Sequence, residues 1–474
     1  MATGLKSTPT QTLPPSRSAT LSGGTNTPAH TCRLYRPERQ AEAKSIAASP
    51  DHSVVARGIG SAYGDCALNR DGAVLDTTRL SRILSFNEDT GVLHAEAGLT
   101  SIDLIDLLLP RGWFLPVTPG TRRVTLGGMI ANNVHGKNHH RDGSIANFID
   151  DITLLIAADP DQPELVTCSR DNDAELFWAT LGGLGLTGII VSATIRLKPA
   201  PSAWCKVHRE RAHNLEDALD RFDAGDDQHP YSVAWIDCLA RGDRMGRAVL
   251  MRGDHAQPDD IQGPGKSRYV TPKRAQRVVP INAPGFALNP VTVGLFNKAY
   301  YSSAKDGISI EPYADFFYPL DCITHWSKLY GKRGFHQFQV AFPTATARQG
   351  LHETLNRITT SRQASFLAVL KRFGPADPSP LGFPIEGATL ALDLPNLGAK
   401  TEALYADLNA ITLEHDGRVY LGKDSLLDAD TARKMYPRID EFLRTKARVD
   451  PTNRFDSSLA RRLDLRVRTN GADA

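Results

Sequence analysis

The chain has 474 residues, 41% of them hydrophobic and 23% charged, which is the composition of a globular protein of two to three domains. Lys and Arg number 55 against 53 Asp and Glu, a formal balance of +2, so no global field draws the chain to nucleic acid. No apolar run reaches the ~18 to 20 residues of a bilayer span. The 6 cysteines are scattered, with no CxxC pair and no Cys/His cluster, which argues against a structural metal site or a disulfide scaffold and fits a reducing compartment.

Met1 to about Thr31 is rich in Ser, Thr, Pro and Gly and lacks the apolar core of a signal peptide, so residues 1–31 are expected to form a flexible N-terminal tail. Residues 32–200 read as an α+β domain. Ser53–Ala56, Ala73–Asp76 and Gly91–Ala97 are predicted strands, and Thr100 is a plausible N-cap for a helix ending at Pro110. A short helix over Asp173–Leu181 precedes a strand over Ile189–Leu197. Residues 201–416 form a second domain, interrupted over 252–290 by a long, Pro/Gly-rich and locally basic loop (Lys266, Arg268, Lys273, Arg274, Arg277) that is expected to be mobile. Within this domain Phe335–Ala341 and Thr389–Leu394 are predicted strands, and Thr346–Arg362 and Lys400–Glu414 helices. Residues 417–474 are expected to return to the first domain.

Three glycine-rich segments stand out. Gly183, Gly185 and Gly188 form a GxGxxG, but a helix precedes them and a β-branched run follows, the reverse of a dinucleotide fingerprint. A helix-to-strand turn explains them better. The other two are Ala56-Arg-Gly-Ile-Gly-Ser-Ala-Tyr-Gly-Asp65, which follows a strand, and Pro119 to Gly136, which contains Gly127-Gly128. Closely spaced glycines let backbone N–H groups converge on an anion without side-chain interference, and two such loops suit a diphosphate.

Those loops, with Thr125-Leu-Gly-Gly128, His135-Gly-Lys-Asn-His-His140, Glu175-Leu-Phe-Trp-Ala-Thr180 and Val419-Tyr-Leu-Gly-Lys-Asp-Ser425, resemble the vanillyl-alcohol oxidase (PCMH-type) superfamily of FAD enzymes. Within it they resemble the decaprenylphosphoryl-β-D-ribose 2′-oxidase family, as do Phe316-Phe-Tyr-Pro-Leu-Asp321, Gly334 to Gln339 and Leu370-Lys-Arg-Phe-Gly374. The resemblance runs from about Cys32 to Leu463. It implies a two-domain α+β fold, with an FAD-binding domain followed by a substrate domain on an antiparallel sheet. The implied flavin site comprises Ala56, Arg57, Gly58, Ile59, Gly60, Ser61, Ala62, Tyr63, Gly64, Asp65 and Cys66 in the first loop. Further along it adds Gly120, Thr125, Leu126, Gly127, Gly128, Asn132, Asn133, Val134, His135, Ile190 and Tyr420. Some superfamily members bond the flavin through a histidine in the first loop. Here that stretch reads Ser61, Ala62, Tyr63, so FAD is expected to be non-covalent.

The implied reaction oxidises the C2 hydroxyl of a polyprenyl-phosphoryl ribose, with hydride passing to flavin N5, and a separate NAD(P)H-dependent reductase completes an epimerisation that serves arabinan precursors of the cell wall. The alternative is a soluble sugar, alditol or aldonolactone oxidase using oxygen. Lys423 is the first choice for the functional charge, as base or as electrostatic stabiliser. A surface lysine paired with Asp424 is the plain alternative. His135 and Tyr420 are the other catalytic candidates, each with an ordinary packing role as its alternative. Lys137, Gln337, Gln339, Lys371 and Lys423 are the substrate-binding candidates, although strand alternation alone would put Gln337 and Gln339 on a wet face. Mycobacterial members carry a cysteine where this chain has Ala391, so inhibitors that bond to that thiol should lose their anchor. The implied location is cytoplasmic or peripheral at the inner membrane, with the periplasm as alternative, and the basic loop is a candidate contact for anionic headgroups.

Overall fold

Residues 13–263, 267–284, 288–363, 365 and 367–468 are described in a computed structural model of the chain. β-branched and alternating segments build three main sheets. The first has the strand order Ser16–Ser22, Ala29–Tyr35, Ala73–Asp76, Val54–Arg57; the first two strands are antiparallel and the rest parallel. The expected tail is therefore corrected. Ser16 to Tyr35 is a β-hairpin, and residues 1–12 lie outside the described residues. The signal was weak because Ser16–Ser22 is an edge strand with little inward apolar surface beyond Leu21, which packs with Leu34 on Cys32, Val55 and Val74.

The second sheet is antiparallel, in the order Ile83–Asn87, Val92–Glu96, Ile189–Arg196, Ile149–Ile156, Glu164–Ser169. The helix Ser101–Leu108 starts where the Thr100 side chain accepts the Asp103 N–H, and it buries Leu104, Ile105 and Leu108 against this sheet's apolar face. The GxGxxG segment is the turn between the helix Ala174–Thr180 and the strand Ile189–Arg196.

The third sheet has eight antiparallel strands, in the order Gly307–Pro312, Trp204–Ala212, Ala248–His255, Tyr231–Ile236, Ala368–Phe373, Gly387–Pro395, Phe335–Pro343, Arg418–Val419. Helices Ala347–Ser361 and Ala399–Glu414 cover one face. Phe338, Val340 and Phe342 join Leu351, Leu355, Leu404 and Leu408 in that core, which turns Gln337 and Gln339 to the opposite face. Thr346 precedes the first of these helices without capping it; its hydroxyl instead donates to the His415 carbonyl at 2.6 Å.

The segment expected to be one long loop is partly ordered against this sheet. Strand Ala248–His255 takes its start, Arg277–Val278 pairs in parallel with Ile323–Thr324, and Asn289 caps the helix Pro290–Ser303. Lys266 lies outside the described residues. After Arg418–Val419 the chain crosses back: helix Ile439–Val449 packs on Ala174–Thr180, and Phe455 bridges Val54 in parallel. No helix among the described residues is long and apolar enough to cross a membrane.

Candidate active site

A cavity of about 1160 Å³ lies between the glycine loops of the first domain and the open face of the eight-stranded sheet. That volume exceeds the usual ~300 to 1,000 Å³ of a drug-sized pocket, and it has room for an extended cofactor with a substrate at one end. The glycine wall is built by close backbone approach. A Cβ on Gly58 would sit 2.3 Å from Thr125 Oγ1, and one on Gly64 would sit 1.8 Å from the Asp424 carbonyl oxygen, so neither loop closes with any other residue there. Thr125 opens the short helix Leu126–Ala131 by accepting the Gly128 N–H at 3.2 Å. The first loop is braced from outside by the hairpin turn: Gly24 N–H donates to the Ala62 carbonyl at 2.9 Å, and Thr25 Oγ1 to the Tyr63 carbonyl at 2.9 Å.

Of the expected flavin residues, Ala56 to Tyr63, Cys66, Gly120, Thr125, Gly127, Gly128, Asn132, Val134, His135, Ile190 and Tyr420 line the cavity. Four others do not. Gly64 packs on Asp424, Asp65 pairs with Arg462 at 2.7 Å, Leu126 is core, and Asn133 donates to Asp377 at 2.6 Å, so these four shape the loops from behind. A flat, anionic cofactor such as FAD fits this wall. Cβ atoms on Gly120 and Gly185 would meet no protein atom and would take up ligand space. The buried Asn132 Oδ1 and His135 Nδ1 have no partner among the described residues. The N–H groups of Ile59, Gly60, Ser61 and Ala62 likewise make no hydrogen bond to another described residue.

The opposite wall carries side-chain chemistry. Gln337 faces Asp393 across the sheet, Gln339 faces Ala391, and Lys371 faces Thr389, which puts all six on one face. Gln337 and Gln339 are buried rather than wet. Gln337 Nε2 donates to Asp393 Oδ1 at 2.5 Å. Gln339 Nε2 donates to Thr389 Oγ1 at 3.2 Å and to His135 Nε2 at 2.8 Å. Because His135 Nε2 accepts, its proton sits on Nδ1. Burial and the charges of Lys371 and Lys423 hold His135 well below the ordinary histidine range, so it stays neutral.

Lys423 lies on the turn after Tyr420, with its Nζ 5.3 Å from the Tyr63 ring centroid. It is not a surface lysine beside Asp424, whose carboxylate turns away to Arg462 at 2.8 Å. Burial lowers the proton affinity of Lys423, and Asp393 partly restores it. Burial in turn raises Asp393 out of the usual carboxylate range. Lys371 is lowered strongly by burial, Lys423 and Lys137. Lys137 is brought down to about 8 by burial, with Nζ donating to the Phe317 carbonyl at 3.1 Å. Tyr420 supports the wall: its hydroxyl donates to the Asn132 carbonyl at 2.7 Å and its ring stacks on Phe383 at 4.7 Å. His139 is buried against Phe373, and its pKa falls to about 3.

Two residues central to this geometry escaped the sequence reading. Asp393 was only the penultimate residue of a predicted strand; its spacing of two from Ala391 and four from Thr389 was the available signal. Arg462 had none. From the far C-terminus it grips Asp65 and Asp424 together and so ties the first glycine loop to the turn that carries Lys423.

Comparisons with known proteins match both domains. The FAD binding domain family matches residues 28–159, and the D-arabinono-1,4-lactone oxidase family matches residues 334–463. Decaprenylphosphoryl-β-D-ribose oxidase of Mycolicibacterium smegmatis is 36% identical over 87% of this chain and 89% of its own. An uncharacterized protein of Streptomyces coelicolor is 34% identical over 76% of this chain and 99% of its own. L-gulono-1,4-lactone dehydrogenase of Mycobacterium tuberculosis is 22% identical over 91% of this chain and 95% of its own. With its glycine wall, its antiparallel substrate sheet and this end-to-end likeness, the chain belongs to the decaprenylphosphoryl-β-D-ribose oxidase family of FAD-dependent, PCMH-type oxidoreductases acting on CH–OH donors.

Proposed function

We propose that the protein oxidises the C2 hydroxyl of a polyprenyl-phosphoryl ribose to the 2-keto sugar, the first half of a 2′-epimerisation to the arabinose form. The observation that carries this reading is the set of three lysines, Lys137, Lys371 and Lys423, around one cavity, each with its proton affinity lowered by burial. Asp393 serves Lys423, but Lys137 and Lys371 have no carboxylate partner among the described residues, and a phosphate-bearing sugar supplies an anion for them. The glycine wall would hold FAD non-covalently, and the bound flavin would supply the acceptor for the hydride from C2. Lys423, as the neutral amine, takes the hydroxyl proton while the C=O bond forms. Neutral His135 donates from Nδ1 toward the ligand. The buried Oε1 atoms of Gln337 and Gln339 have no partner among the described residues, and the reading assigns them to accept sugar hydroxyls. A separate NAD(P)H-dependent short-chain reductase then returns the ketone to an alcohol of opposite configuration. The enzyme works peripherally at the inner membrane, where its lipid substrate resides.

A second reading, a soluble sugar or aldonolactone oxidase using oxygen, draws on the match of residues 334–463 to the lactone oxidase family. Anaerobic reduction of the purified yellow protein separates the two. Bleaching by a short-chain polyprenyl-phosphoryl ribose supports the first; bleaching by free alditols or sugar lactones alone replaces it with the second.

A further inference from the structure

The six most exposed large apolar side chains among the described residues all fall between Val270 and Ile308. Ile281, Val291, Val270, Leu295, Ile308 and Val278 run from 72% down to 60% exposed, and nothing outside that span exceeds Leu165 at 48%. Single exposed aliphatics are ordinary, but a cluster of them marks an interaction surface. The same span holds five Lys or Arg against one Asp. Lys273, Arg277 and Lys298 are exposed, and none of the three is ion-paired among the described residues.

This surface rims the cavity. Arg277–Val278 pairs with Ile323–Thr324, which line the cavity, and the Ala283 N–H donates to the Lys328 carbonyl at 2.8 Å. The helix Pro290–Ser303 turns Val293 and Phe296 into the cavity and Val291 and Leu295 out to solvent. Its position is fixed from below, where buried Asn297 donates to Asp237 Oδ1 at 2.7 Å and Tyr300 packs on Trp235 at 4.6 Å. The apolar lining thus continues outward over the rim and ends among unpaired cations.

We propose that this rim docks onto an anionic lipid bilayer and holds the cavity mouth at headgroup depth, so that a lipid-linked sugar enters without its chain leaving the membrane. The proposal rests on the lipid-linked reading of the function. Aliphatic side chains beside unpaired cations complement acyl chains beneath negative headgroups, and the excess of five Lys or Arg over one Asp between Val270 and Ile308 favours that occupant over a protein surface of mixed charge.

The test is vesicle flotation of the FAD-loaded full chain. Wild type is expected to float with phosphatidylglycerol vesicles and not with phosphatidylcholine. The triple change Ile281→Ser, Val291→Ser, Leu295→Ser is expected to weaken partition by about tenfold or more. The pair Arg277→Gln, Lys298→Gln is expected to weaken it about fivefold per charge, with added salt acting the same way. All variants should reduce their flavin at wild-type rate with a short-chain substrate in solution. A wild type that stays off anionic vesicles, or a serine variant that binds them as well as wild type does, overturns the proposal. So does a wild-type dimer that the serine changes split, since the face would then join two copies. Flotation uses no substrate, so a failure to dock with normal flavin reduction removes only this face, whereas a failure of reduction removes the functional reading.

Discussion

The two walls of the cavity are built by different means. The glycine wall works through backbone: missing Cβ atoms let Gly58 meet Thr125 and Gly64 meet Asp424. The sheet wall works through side chains, with Lys371, Asp393, Gln337 and Gln339 projecting from three adjacent strands. Backbone recognition is rigid and tolerates no added atoms. Side-chain recognition tolerates conservative change but depends on how burial and neighbouring charges set each protonation state. Damage to the first wall should therefore release the cofactor, and damage to the second should spare binding while slowing or retuning the chemistry.

The largest effect belongs to the sheet side. Lys423→Ala should leave FAD bound and cut the rate of anaerobic flavin reduction about a thousandfold. Loss of the yellow colour in this variant would instead place Lys423 with the cofactor wall. Next comes the clamp between the walls. Arg462→Ala leaves the buried Asp65 and Asp424 carboxylates unpaired. Breaking such a pair costs about 3 to 5 kcal/mol, read as a lower denaturation midpoint together with weaker FAD retention. Gly64→Ala is the narrower probe of the backbone wall. A Cβ placed 1.8 Å from a carbonyl oxygen forces the two loops apart, for about 1 to 3 kcal/mol, and should weaken FAD retention about tenfold or more with little change in the reduction rate of the bound fraction.

The same contrast explains what could be read before the fold was known. Glycine spacing is a sequence signal for backbone recognition, so the first two loops and their fit to a diphosphate were visible, and the GxGxxG was set aside because its flanking elements were in the wrong order. Strand alternation placed Gln337 and Gln339 on one face but not which face, because only the fold shows that the helices Ala347–Ser361 and Ala399–Glu414 both pack on the Phe338 and Val340 side. Asp393 and Arg462 gain their meaning only from partners across the fold, Gln337 and Lys423 for one, Asp65 and Asp424 for the other. The N-terminal hairpin was misread as tail for a related reason. Its edge strand buries too little of itself to alternate visibly, yet its turn supports the first glycine loop.

The subtlest prediction tests how the sheet wall sets its own chemistry. Asp393 is buried, shares its proton affinity with Lys423, and raises that of the lysine against the lowering effect of burial. If Lys423 acts as the neutral base, flavin reduction rises with pH through the Lys423 titration. Asp393→Asn keeps a hydrogen-bonding group beside Gln337 but removes the negative charge, so the ammonium form loses support and the midpoint should move to lower pH, by about one unit. Below that midpoint the variant then reduces its flavin faster than wild type does. Were Lys423 instead a fixed cation, the rate would fall with rising pH, and the same substitution would move that fall to lower pH and make the variant slower there. Stopped-flow reduction of both proteins across the titration gives opposite signs for the two roles, and a profile that does not move at all would separate Asp393 from the chemistry of this wall.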